Sequence, residues 1–171
     1  MSDSTDPRKQ PGEDLLNIIF DHARQGTVEP LRMYFEAGYT PNIANARGDS
    51  LLIIATYHGH EELTILLLAQ PAIEVDYQNR MGFTSLTGAS FKGYCGIMQA
   101  LIAAGANVNH QNASGQTALM FASLTGRLEA VKLLLSHGAD KEAQDATGKR
   151  AIDLAEMQEA AEVVTVLGGG E

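Results

Sequence analysis

Glycine recurs along this chain with a period of 33 or 34 residues. One series, spaced by 33, 34 and 33 residues, consists of Gly26, Gly59, Gly93 and Gly126. A second, spaced by 34, 33 and 33 residues, consists of Gly48, Gly82, Gly115 and Gly148. Such self-similarity is the sequence signature of a repeat protein. Both series contain one extra residue, which we place in the stretch 70–73.

Each repeat is predicted to be a pair of short helices. Apolar residues recur at helical spacing in one copy, at Leu119, Ala122, Leu128, Val131 and Leu134. Glycine between them allows the positive φ that ends the first helix and starts a tight turn. The same reasoning predicts left-handed caps after the second helices, at Gly38, Gly105 and Gly138. Hydroxyl side chains that can cap the first helices precede them at Ser50, Thr84 and Thr117.

With these positions in place, the chain resembles the ankyrin repeat. The best copy runs from Asn112 through Gly115 to Leu119, then to Gly126 and the segment 138–140. The resemblance implies an all-α solenoid of about five helix-turn-helix repeats, with outer β-turn tips and degenerate capping repeats at both ends. The expected repeats are 13–45, 46–79, 80–112, 113–145 and 146–167. A polar, flexible tail is expected at 1–12, and a glycine-rich tail at 168–171.

Some family positions are occupied by other residues. The proline and histidine of the family's T-P-L-H turn are absent, and its histidine slot holds Ile53, Thr87, Met120 and Asp153. Outer turns that lack this histidine are expected to be looser. In the last repeat, Glu159 occupies the place of the junction glycine. Capping repeats tolerate such changes because one of their faces meets water.

The charge of the chain argues against polyanionic partners. Twelve Lys and Arg are outnumbered by 21 Asp and Glu, which gives a net charge of -9. Nucleic acid and acidic membrane surfaces are therefore disfavoured. A single cysteine, Cys95, allows no internal disulfide and fits a reducing compartment. No signal peptide or apolar run of membrane-spanning length is recognised, so we expect a cytoplasmic protein.

No constellation of residues predicts an enzyme, a cofactor site or a metal site. The run 168–170 is glycine-rich, but no helix is expected after it to hold a phosphate. His58 and His60 resemble a metal pair, yet His60 occupies the family's Gly-His position, where histidine has a structural role. A small-molecule or metal-binding regulator that uses His58 stays open as a rival interpretation.

The family's usual contact surface is the concave side, which outer turn tips and first helices form. Carrying its surface positions over by register selects ten expected partner-binding residues: Arg47, Tyr57, His58, Arg80, Met81, Phe83, Phe91, Lys92, Leu124 and Lys149. The aromatic members are expected to face solvent, where they lower solubility unless a partner covers them. Packing between neighbouring first helices is the alternative for Tyr57 and Phe91.

The resulting hypothesis is a monomeric protein-interaction module. It acts as an adaptor, inhibitor or regulatory subunit that binds one protein partner with a mixed apolar and acidic surface. An accessory protein that protects or matures an enzyme is the alternative role, and it differs only in what the partner is.

Overall fold

Ten helices arranged as five consecutive hairpins make up the part of the chain that the structure describes. The structure is a computed structural model, and it describes residues 9–168. The helices are α1 (Glu13–Gln25), α2 (Val28–Glu36), α3 (Leu51–Tyr57), α4 (Glu61–Leu68), α5 (Ser85–Lys92), α6 (Cys95–Ala103), α7 (Ala118–Leu124), α8 (Leu128–Ser136), α9 (Ala151–Met157) and α10 (Ala161–Gly168).

The predicted capping residues precede the first helices of the second, third and fourth repeats. The side-chain oxygens of Ser50, Thr84 and Thr117 each accept a hydrogen bond from the backbone N–H three residues later. Such a bond satisfies one of the amides that a helix leaves unpaired at its start. The fifth repeat uses another device, because the Asp153 carboxylate accepts from the Arg150 N–H at 2.7 Å. The prediction of hydroxyl caps is therefore confirmed for α3, α5 and α7.

Positive φ angles occur where the glycine series predicted them, and also at two residues with side chains. The four junction glycines have φ between 64° and 80°. Glu159, which occupies the junction slot of the last repeat, has φ 55°. Ala72 has φ 63° and stands at the repeat position of Gly38, Gly105 and Gly138. Ala72 lies thirteen positions after Gly59, whereas Gly105 lies only twelve positions after Gly93. The extra residue thus lies just before Ala72, inside the predicted stretch.

The hairpins stack into two rows of helices. Each of the first helices, α1, α3, α5, α7 and α9, contacts the next in one row. The second helices, from α2 to α10, form the other row. Equivalent leucines of the second helices fill the layer between the rows and are at most 3% exposed. They are Leu67, Leu101, Leu134 and Leu167. Apolar burial repeated from hairpin to hairpin stabilises such a solenoid.

The described chain includes the inner ends of both predicted tails. Lys9 pairs with the first repeat, since its N–H donates to the Gly38 carbonyl at 3.0 Å and its carbonyl accepts from Thr40 N at 3.2 Å. Residues 1–8 of the predicted tail lie outside the described residues. Helix α10 includes Gly168, the first residue of the predicted glycine tail, and 169–171 also lie outside. Within residues 9–168, no helix combines the length and apolarity needed to cross a membrane.

Candidate functional site

The outer turns are held by a repeated side-chain device. The Oδ1 atom of Asn79 accepts hydrogen bonds from the backbone N–H groups of Met81 and Phe83, both at 3.0 Å. Equivalent pairs of bonds form at the other three tips, with Asn45, Asn112 and Asp145 as acceptors. An Asx side chain that bonds the backbone in this way fixes a turn. Each of these four tips is therefore held by its own Asx side chain, although the family's histidine is absent from the repeat.

Neighbouring tips are also linked to each other. The Asn79 amide donates to Asp49 Oδ1 at 2.8 Å, and Asn45 donates to the other carboxylate oxygen at 3.4 Å. This chain of bonds sets the spacing between the tip that contains Asn45 and the tip that contains Asn79. Residues carried on the tips, including Arg47 and Met81, are thus held at defined positions along the stack.

A groove of about 990 Å³ runs along the first-helix side of the stack. Its lining comes from α1, α3, α5, α7 and two outer tips, so four consecutive repeats contribute to it. Aromatic rings form much of its wall, and they are those of Phe20, Tyr57, Phe83, Phe91 and Phe121. Six of the ten predicted residues line the groove, namely Arg47, Tyr57, His58, Met81, Phe83 and Phe91.

The other four predicted residues lie outside the lining of the groove. Lys149 is at the far end of the stack, where its ammonium donates to the Met157 sulfur at 3.3 Å. Leu124 ends α7 and packs against the core. Arg80 and Lys92 contact residues near the groove and so belong to its surroundings. The Arg80 side chain lies over Gly48, and the Lys92 ammonium lies over the Tyr57 ring.

Exposure differs among the predicted apolar residues. Tyr57 is 42% exposed and Met81 is 66% exposed, as expected of a surface that faces solvent. Phe83, Phe91 and Leu124 are only half-buried, so their expected solvent-facing position needs correction. Phe83 packs edge-on against Phe121 of the next repeat, with ring centroids 5.3 Å apart. Ring packing of this kind is favourable and removes part of each ring from water.

Three cations at or beside the groove form no ion pair among the described residues. Arg32 and Lys132 pair with glutamates on their own second helices, and Arg150 pairs with Glu142 and Asp153. Among the described residues, Arg47, Arg80 and Lys92 have no carboxylate within ion-pair distance. Asp49, the carboxylate at the nearby tip, accepts from asparagine amides instead.

The two histidines of the second repeat have different roles. His60 Nε2 donates to the Arg24 carbonyl at 2.8 Å, which ties the second repeat to the first. His58 is exposed, and its ring lies nearly parallel to that of His60 at 6.0 Å. Partial loss of hydration of this otherwise exposed ring, and then the charges of His60, Lys92 and Arg24, lower the pKa of His58 below its usual value. Residues 9–168 contain no group of three His, Cys, Asp or Glu side chains able to hold a metal ion.

Sequence reasoning missed two parts of the groove. Helix α1 closes one end with Glu13, Leu16 and Phe20, although its repeat lacks an outer turn. Gly88 on α5 lines the middle of the groove, where other first helices carry larger side chains. When the first helices are aligned by their junction residues, the sequence shows glycine at this position in α5 and a larger residue in each of the others. The contribution of α1 carries no such signal, because its repeat lacks the outer turn from which the other surface positions were carried over.

Comparisons with known proteins agree with this architecture. A family model described as ankyrin repeats in three copies matches residues 19–112 and 88–169. A curated ankyrin repeat protein of Pseudomonas aeruginosa is 40% identical over 63 residues. That match covers 36% of this chain and 37% of the relative, so little more than a third of the relative is spanned. Ankyrin repeats generally mediate protein–protein interaction and are generally not enzymes. By its helices, its repeated turns and the family model, this chain belongs to the ankyrin repeat family.

Proposed function

We propose that this protein binds a segment of one protein partner in the groove on the first-helix side. The observation that carries the proposal is the combination of an aromatic wall with three cations, Arg47, Arg80 and Lys92, that form no ion pair within residues 9–168. Tyrosine and arginine are the residue types enriched among binding hot spots. A surface with both, on a chain of net charge -9, favours a partner that offers apolar and acidic residues together.

The dimensions of the groove favour a polypeptide. Ligand pockets for small molecules have volumes of about 300–1,000 Å³ and enclose most of the ligand. The groove reaches the upper limit of that range and is shared by four repeats. An extended segment of a protein can contact several repeats at once, because each residue advances it by about 3.3–3.6 Å. This segment would lie across the rings of Tyr57, Phe91 and Phe83.

The protein acts, in this proposal, as a monomeric adaptor, inhibitor or regulatory subunit inside the cell. A single cysteine, Cys95, suits a reducing compartment. The thiol is half-buried, and burial raises its pKa, which keeps it protonated and unreactive. An accessory protein that protects or matures an enzyme would use the same groove.

Affinity capture from an extract of the source cells tests the proposal. The bait is the full chain, compared with a Tyr57→Ala, Phe91→Ser double variant. Ile65→Ser is the matched control, because Ile65 is 56% exposed on α4 and lies outside the groove. We expect one protein to be captured by wild type and control and lost from the double variant. Equal capture by all three baits would place the binding surface elsewhere.

A further inference from the structure

Gly88 occupies a position where three of the other four first helices carry large apolar side chains. Counting back five residues from each junction residue gives Asp21, Ile54, Gly88, Phe121 and Leu154. Gly88 lies inside α5, and its φ is not positive, so its backbone conformation does not require glycine. Glycine within a helix is less stable than alanine. The fold therefore gives no reason for glycine at this position.

The missing side chain leaves a space in the middle of the groove. A Cβ atom built on Gly88 would lie 3.5 Å from Cδ2 of Tyr57 and 3.9 Å from its Cβ, and among the described residues, apart from its chain neighbours and the α5 backbone, no other atom lies within 4 Å. Phe91 follows three residues later on α5, and residues at that spacing share a helix face. Tyr57 and Phe91 thus stand beside a site from which one bulky side chain is absent.

Resting on the proposed function, we propose that this space receives one large apolar side chain, Leu, Phe or Trp, from an extended acidic segment of the partner. The incoming side chain takes the place that Ile54, Phe121 and Leu154 fill in the second, fourth and fifth repeats. It packs against the Tyr57 ring and over the Gly88 backbone. The space admits one such residue, which sets the register of the segment in the groove.

The acidic character of the segment follows from the cations at the two ends of α3 and α5. Arg47 is at the outer tip of the second repeat, and the side chain of Arg80 packs against Gly48 of that tip. Lys92 is at the opposite end, over the Tyr57 ring. The seven residues of α3 span roughly 10 Å, which an extended chain covers in about three residues. We therefore place carboxylates three or four residues apart, with the apolar anchor between them.

The other charged groups near the groove are compatible with carboxylates of the segment at these places. Glu13 lies at the α1 end, so an acidic residue of the segment is directed away from α1. Asp49 accepts hydrogen bonds from Asn45 and Asn79, which compensate part of its charge. Arg24 is paired with Asp21 on its own helix. Among the described residues, Arg47, Arg80 and Lys92 therefore keep uncompensated positive charge, as does Arg127, whose Nε donates to the Phe91 carbonyl at 3.4 Å.

Selection from a displayed library of random twelve-residue peptides, with the immobilised full chain as target, tests this inference. We expect enriched peptides to carry one Leu, Phe or Trp with Asp or Glu on both sides, three or four residues apart. A labelled peptide of the enriched sequence is then titrated by fluorescence anisotropy. Gly88→Leu should weaken its binding at least tenfold, since leucine fills the space. Arg47→Glu with Arg80→Glu should weaken it similarly, and Ile65→Ser should change it less than twofold.

Several results would overturn the inference. Enrichment of peptides without acidic residues, unchanged binding by Gly88→Leu, or no enrichment over the bare support would each do so. Gly88→Leu is expected to fold, because α3, α7 and α9 accommodate large residues at the equivalent position. Circular dichroism checks that the variant is folded. A dimer in sedimentation that Tyr57→Ala abolishes would show that a second copy covers the groove instead. Partner capture that needs Tyr57 and Phe91 but tolerates Gly88→Leu would refute the anchor and leave the proposed function standing.

Discussion

The ammonium of Lys92 lies 4.6 Å from the centroid of the Tyr57 ring, across the boundary between the second and third repeats. Tyr57 is at the end of α3 and Lys92 at the end of α5, so the contact joins two neighbouring first helices. A cation over an aromatic face restricts both side chains. The contact therefore holds the most exposed ring of the groove wall above the space at Gly88.

The first prediction concerns this contact. Lys92→Met keeps an unbranched side chain and removes the charge, so the free energy of unfolding should fall by about 0.5–1 kcal/mol, the range for exposed cation–π pairs. Lys92→Arg should restore most of it. A double-mutant cycle with Tyr57→Leu, measured by urea unfolding, isolates the pair. A coupling energy of zero within error would mean that the two residues do not interact.

A second prediction follows from the two non-glycine residues with positive φ. A left-handed conformation costs an L-residue with a side chain roughly 1–2 kcal/mol, so Ala72→Gly and Glu159→Gly should both raise the melting temperature. Gly138→Ala is the matched reverse change, because a Cβ there meets nothing within 4 Å and only backbone strain is added. It should lower the melting temperature. Stabilisation by Gly138→Ala would contradict the assigned backbone conformation.

A third prediction separates stability from binding at Gly88. Gly88→Ala adds a Cβ at ordinary contact distance from Tyr57, and alanine is a better helix former than glycine. The variant should be more stable by about 0.5–1 kcal/mol in urea unfolding. Because the methyl group occupies part of the proposed anchor space, the same variant should bind the partner segment more weakly. A less stable variant would mean that α5 needs glycine here for its packing.

A fourth prediction is the pH dependence that His58 contributes. Its pKa is lowered in the folded protein, chiefly by partial loss of hydration and then by His60, Lys92 and Arg24, so the unfolded chain binds the proton more readily. The contribution of His58 to stability is thus fully present above its unfolded pKa of about 6.5 and declines as the pH falls toward the lowered value. Urea midpoints of wild type and His58→Gln should diverge between about pH 7 and pH 5, with wild type losing more. Parallel curves would contradict the lowered pKa, which NMR titration of the ring measures directly.

How far the sequence predicted this molecule depends on whether the information repeats along the chain. Gly59 and Ser50 occur at equivalent positions in several copies, so their roles in turns and caps could be inferred before any coordinates were known. Residue Ala72 could be placed in an insertion, but not assigned a left-handed backbone, because alanine rarely adopts one. The exposure of Phe83 was misjudged because it depends on the Phe121 ring of the next repeat.

The candidate site was predictable to a similar extent. Register alone brought Arg47, Tyr57 and Met81 to one surface, because equivalent positions in stacked repeats lie side by side. It could not show that α1 closes the groove, since that requires the packing of Phe20 against the second repeat. Nor could it show the pairing of Lys92 with Tyr57, which depends on side-chain orientation.

The most direct test of the account is calorimetric titration of the purified captured partner into wild type, the Tyr57→Ala, Phe91→Ser variant and Ile65→Ser. If the groove is the binding site, loss of two hot-spot rings should cost about 2 kcal/mol or more, roughly a 30-fold rise in Kd. Ile65→Ser should bind as wild type does. A Kd for the double variant within twofold of wild type, with its fold intact, would contradict the central claim.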